Sequence, residues 1–231
     1  MPDLSAGVAH RAGWTGALWS RIDETFEAIL RHPFIIGLTD GSLDPAAFTH
    51  FLAQDSHYLR CYSRVLSLVA AKASDPQDTA MFSRHAAGAV EVEIHLHTRL
   101  LGALGVDPAA VATTPVSPTT VAYTSYLLAT AYAGSYTDGV AAVLPCYWIY
   151  AEVGRALGAR GSPDPRYQRW IDTYAGDEFQ AVVSEVLVTA DRIGAVITSS
   201  EADHAAEHFV VTSRYEWMFW DAAFRRETWP V

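Results

Sequence analysis

The chain has 231 residues, half of them hydrophobic, enough for one sizeable core; no Ser/Gly-rich linker or low-complexity run divides it, so a single domain over residues 1–231 is expected. No uninterrupted apolar run approaches the ~20 residues a membrane helix needs, so no membrane partner is expected. The 26 acidic and 16 basic side chains give a formal charge of −10, spread along the chain, which repels phosphate backbones and excludes nucleic acid as an expected partner.

Residues 1–12 are expected to be a flexible N-terminal segment, and MPDLSAGVAHRAGW lacks the basic and apolar regions of an export signal. Two cysteines cannot form a disulfide framework and read as reduced thiols, which points to a cytoplasmic location.

Taken in chain order, helices are predicted at about 14 to 31, 45 to 73, 76 to 103, 118 to 132, 137 to 159, 165 to 174, 177 to 197 and 200 to 227. Four of their starts are marked by a capping oxygen before proline: Asp44-Pro45, Asp75-Pro76, Ser117-Pro118 and Asp164-Pro165. Alternating Val/Ile/Thr stretches are nearly absent and no internal repeat occurs, so the expected fold class is all-α, a helical bundle.

On the second predicted helix, Phe48, Phe51, Leu52, Tyr58, Tyr62, Val65, Leu66 and Val69 form one apolar stripe, with Asp55 inside it. A carboxylate there must be matched by donors or become neutral; it either caps or pairs for structural reasons, or serves a ligand. Glu216 repeats the anomaly on the last helix, among Phe209, Thr212, Phe219, Trp220 and Ala223, where aromatic surroundings raise a Glu pKa toward the range of a general acid. A structural bond to a tyrosine hydroxyl is the competing reading.

Within the fifth predicted helix, Pro145 removes one backbone hydrogen bond, which is expected to bend the helix and aim Cys146 into the space opened. Tyr150, one turn on, points the same way. A lone cysteine on an apolar face is more often inert packing than a nucleophile, and Cys61 keeps that reading. The run from Glu91 to His97 suggests a metal cluster, but only Glu91/His95 and Glu93/His97 share a face. The one Glu-x-x-His element, Glu201 to His204, falls in the first turn of a helix, so no metal and no cofactor is expected.

Together these segments resemble the TenA-type thiaminase II family, also described as aminopyrimidine aminohydrolases, whose fold is haem-oxygenase-like. The resemblance runs through HPFIIGLTDGSL, QDSHYL, HAAGAVEVEIHLH and SPTTVAYTSYL, and is densest at LPCYWIYAEVG, WIDTYAGDEF and SRYEWMFWDAAF. It implies a hydrolase of thiamine metabolism from the cysteine-containing branch, acting on a small-molecule aminopyrimidine and assembled as a homotetramer. It also implies catalytic roles for Asp55, Cys146 and Glu216, and substrate-binding roles for Tyr58, Tyr123, Tyr150 and Tyr174. His57, where the family frequently has an aromatic residue, stands beside the pocket motif. Two other readings stay open: a metal-dependent oxygenase on the same fold, and a non-catalytic regulator of the kind named a transcriptional activator.

Overall fold

The computed structural model describes residues 11–106, 111 and 113–231, without the side chains of 92–100 and 103; the expectations for residues 1–10 and for Glu93, His95 and His97 lie outside the described residues. Among the described residues ten helices follow one another: α1 (Trp14–Trp19), α2 (Asp23–Leu30), α3 (Pro33–Asp40), α4 (Pro45–Lys72), α5 (Pro76–Leu104), α6 (Pro118–Ala133), α7 (Tyr136–Gly158), α8 (Pro165–Ala175), α9 (Asp177–Gly194) and α10 (Ser199–Arg225). Among the described residues there is no strand, and no helix is long and apolar enough to cross a membrane.

The four helix starts marked by proline form as expected. Asp44 accepts from the Ala46 amide at 2.9 Å, Asp75 from Gln77 at 2.8 Å, Ser117 from Thr120 at 3.3 Å and Asp164 from Arg166 at 2.8 Å, each with proline in the first turn. Two further starts close as capping boxes, Ser135 with Asp138 and Thr198 with Glu201.

Two features differ from the sequence reading. The single helix expected over 14 to 31 is broken, because the chain tightens after Trp19 into i to i+3 bonds, Arg21 N to Leu18 O and Ile22 N to Trp19 O, while Ser20 Oγ donates to Gly16 O at 3.0 Å. A helix absent from that reading, α3, starts at Pro33 with His32 as its cap, Nδ1 accepting from the Phe34 amide at 3.1 Å, and stops at Gly41 with φ 77°.

Helix α7 is the axis of the bundle, touching α4, α6, α8, α9 and α10. Its burial follows from its sequence: from Val140 to Pro145 every residue is buried, so it has no polar face there to show to water. Beside it an aromatic cluster joins four elements: Phe34 of α3, Phe51 of α4, Trp170 of α8 and Trp220 of α10. Phe51 and Trp220 stack at 5.2 Å and 6°. Offset aromatic contacts of this kind contribute about 0.5–1.5 kcal/mol each beyond area burial.

Where α7 crosses α8 the backbones nearly touch at Gly154, because a Cβ there would fall 2.4 Å from the carbonyl carbon of Tyr174 and 2.6 Å from its oxygen. Gln180 locks the crossing by donating to the carbonyls of Ala151 at 3.1 Å and Tyr174 at 2.9 Å. Gly154→Ala therefore forces the two helices apart. It is expected to cost roughly 1–3 kcal/mol, read as a Tm lower by about 3–10 °C in thermal unfolding; a wild-type Tm would contradict the close approach.

Candidate active site

A cavity of about 690 Å³ opens where α4, α5, α7, α8 and α9 meet. Helix α4 presents Asp55, Leu59, Tyr62 and Leu66 to it, a spacing of four, three and four that keeps all of them on one face. Helix α7 adds Cys146, Tyr147 and Tyr150, and the last turn of α8 adds Tyr174. Helices α5 and α9 form the outer wall with His85, Phe179 and Glu185.

Cys146 retains partial exposure as part of this wall, one residue after Pro145 in a helix that continues through the proline. Burial pushes its thiol well above the ordinary value. The nearby Glu216 carboxyl adds to the rise, as does Asp55, against the opposing pull of the Tyr58 and Tyr62 hydroxyls. The resting thiol is therefore protonated near neutral pH, and a nucleophilic role requires a partner that takes its proton.

Glu216 on α10 is 1% exposed and accepts the Tyr123 hydroxyl at 2.6 Å. Burial raises its pKa to about 8; the Tyr123 bond works against this and the charge of Asp55 works with it. A carboxyl poised there exchanges protons readily around neutrality.

Four tyrosines continue from the cavity wall into the interior. Tyr62 meets Tyr58 at 5.4 Å, Tyr58 meets Tyr123 at 5.0 Å, and Tyr123 stacks on Tyr215 at 5.1 Å. Tyr62 is fixed by donating to the Val143 carbonyl at 2.8 Å. Buried Tyr58 Oη finds no well-formed hydrogen bond among the described residues, although it lies near the Cys146 thiol and Tyr123.

The residues singled out from sequence thus fall in two layers. Asp55, Cys146, Tyr150 and Tyr174 line the cavity, with Tyr150 and Tyr174 rings 5.0 Å apart. Glu216, Tyr58 and Tyr123 are not in that wall; all three are buried and lie close enough to Cys146 to interact with it electrostatically. His57 turns away, its Nε2 2.8 Å from the Thr114 carbonyl, and does not line this cavity.

Sequence reading passed over Tyr62 as packing and did not single out Tyr147 or His85. Tyr147 Oη lies 3.2 Å from His85 Nδ1, whose Nε2 lies 3.3 Å from Glu185. The available signal was register: Tyr62 stands seven positions after Asp55, on the same face. Glu201, half of the Glu-x-x-His element, is occupied by its capping box with Thr198.

The TENA/THI-4/PQQC family model matches residues 19–226. The protein named aminopyrimidine aminohydrolase from Bacillus subtilis (strain 168) is 36% identical over 206 residues, covering 89% of this chain and 87% of that protein. Among solved structures, the TenA homologue from P. horikoshii OT3 superposes with a TM-score of 0.86 at 28% identity, covering 93% of this chain and 99% of its own. A domain of unknown function with a heme oxygenase-like fold from Shewanella denitrificans OS217 reaches a TM-score of 0.74 at 16% identity, covering 92% of both chains, a likeness of fold.

A raised carboxyl pKa has a definite sign in stability. Glu216 ionises near 4.5 when unfolded but only near 8 when folded, so the folded state holds the extra proton between those values and loses stability as pH rises through them. Glu216→Gln keeps an acceptor for Tyr123 without the titration. In thermal melts, the Tm of the variant relative to wild type should increase from pH 5.5 to pH 8.5; a difference independent of pH would contradict the assignment.

Proposed function

The chain belongs to the TENA/THI-4/PQQC family, and from that premise we propose that it is an aminopyrimidine hydrolase of thiamine metabolism, with Cys146 as nucleophile. The observation that carries this reading is the presence of Cys146 and Asp55 in the wall of one aromatic-lined cavity, with the buried Glu216 carboxyl near the thiol. The fold and the names of the relatives support it.

The chemistry needs each part. An aminopyrimidine resists nucleophiles, so a carboxyl group bonded to its ring nitrogen and amino group must stabilise the charge that develops on attack; Asp55 takes that task. Tyr150 and Tyr174 offer the flat ring an aromatic wall. Cys146 passes its proton to ionised Glu216 as Sγ bonds to a ring carbon, and Tyr58 and Tyr62 steady the sulfur. The ring electrons then expel the leaving group from the exocyclic methylene. Water adds at that methylene, and the C–S bond breaks to restore the aromatic ring, returning the sulfur as the thiol.

The net reaction exchanges the leaving group for hydroxyl and yields a hydroxymethylpyrimidine. A thiazolium leaving group, as in thiamine, departs without a proton. An amine departing as ammonia needs one, and protonated Glu216 is its source, which makes this residue more important for deamination.

A homotetramer and a cytoplasmic location belong to the same reading. Exposed Tyr132, Val188, Met218 and Phe224 supply apolar surface that assembly would cover.

Purified protein offered both thiamine and 4-amino-5-aminomethyl-2-methylpyrimidine is expected to release the hydroxymethylpyrimidine, and the ratio of the two kcat/KM values separates degradation from salvage. No release from either would overturn the function. Cys146→Ala should lower turnover at least about a thousandfold with the fold intact, and Asp55→Asn should weaken binding of the hydroxymethylpyrimidine product by about tenfold. Wild-type turnover in the first variant, or unchanged affinity in the second, would remove the role assigned.

A further inference from the structure

About two turns before Cys146 and Glu216, helices α7 and α10 bring together a second set of side chains. His204 and His208 are four apart on α10 and so share a face, with ring centroids 5.0 Å apart. Asp138, in the first turn of α7, faces them: its Oδ1 lies 4.0 Å from His204 Nε2. One nitrogen of each ring and one Asp138 oxygen all lie within 4.8 Å of one another.

Groups around this set orient it. Asp138 is buried, and its other oxygen, Oδ2, accepts from the Ser135 amide and hydroxyl, both at 2.8 Å, which leaves Oδ1 turned toward the histidines. His208 Nδ1 lies 2.8 Å from the Tyr126 hydroxyl on α6. In the tautomer that donates Nδ1–H to the phenol oxygen, Nε2 carries the free lone pair. A metal-ligating histidine is usually held this way, its second nitrogen fixed by an outer partner.

We propose that Asp138, His204 and His208 form a binding site for a divalent transition metal ion of the zinc class, separate from the cavity. Two imidazoles and one carboxylate match the ligand preference of such ions, and a fourth position is left for water. Tetrahedral binding at about 2.0–2.1 Å places ligand atoms roughly 3.4 Å apart. The closure this requires falls to His204, whose side chain is 62% exposed and able to swing, while Asp138 is already held. Asp138 and His208 each stand eight positions before Cys146 and Glu216, about 12 Å along each helix. A bound ion would therefore pin the start of α7 to α10, the two helices that carry the thiol and its proton partner, without reaching them.

The test is calorimetric titration of metal-stripped, full-length protein with Zn2+, with Co2+ absorption reporting the coordination. Wild type should take up about one ion per chain and melt roughly 5 °C higher at saturation. His204→Ala and His208→Ala should each weaken binding at least about tenfold and abolish the rise in Tm. Asp138 is left unchanged because its capping box starts α7. Absence of stoichiometric uptake by wild type, or the same uptake and the same Tm shift in both variants, would overturn the proposal.

Discussion

The hydrogen bond from Tyr123 to Glu216 is the contact on which the site depends, because it lets an acid remain in a nearly water-free interior. A carboxyl that is 1% exposed and unpartnered would cost several kcal/mol or more to keep charged. Here it holds a 2.6 Å bond from a fully buried hydroxyl and sits with its pKa near 8, so both protonation states are accessible close to neutrality. The same dry surroundings push the Cys146 thiol upward. Burial thus makes Glu216 a stronger base than a carboxylate in water and keeps the resting thiol protonated.

The scaffold brings Asp55 and Cys146 into one cavity wall. Helix α7 runs through the middle of the bundle, and Gly154 lets α8 come close enough to bring Tyr174 into the same cavity wall as Asp55. The cluster of Phe34, Phe51, Trp170 and Trp220 fixes α3, α4, α8 and α10 relative to one another through ring geometry that a smaller side chain would not reproduce. Tyr150, 5.0 Å from both Trp220 and Tyr174, links that cluster to the cavity.

Much of this was legible before any coordinates, for reasons that differ from residue to residue. Asp-Pro and Ser-Pro pairs announce helix starts because two independent preferences coincide at one position. The start of α3 was illegible because its cap is an imidazole, His32, and not one of the oxygen side chains that usually perform the task. The break after Trp19 turns on i to i+3 bonds that leave no mark in the pattern of apolar residues. Asp55 and Glu216 stood out because a carboxylate on an apolar face has few cheap explanations. Tyr62 and Tyr147 did not, since a tyrosine on such a face is ordinary packing and only its neighbours reveal that it borders a cavity. His204 was grouped with Glu201 by local spacing, whereas its nearest carboxylate lies on another helix, in Asp138.

The most direct test of the account is a crystal structure with the hydroxymethylpyrimidine product bound. The predicted result is the ring against the Tyr150 and Tyr174 side chains, its nitrogen and amino group on the Asp55 carboxyl, and a ring carbon in van der Waals contact with Cys146 Sγ. A product bound elsewhere on the molecule, or a ring with Asp55 and Cys146 both out of reach, would contradict it.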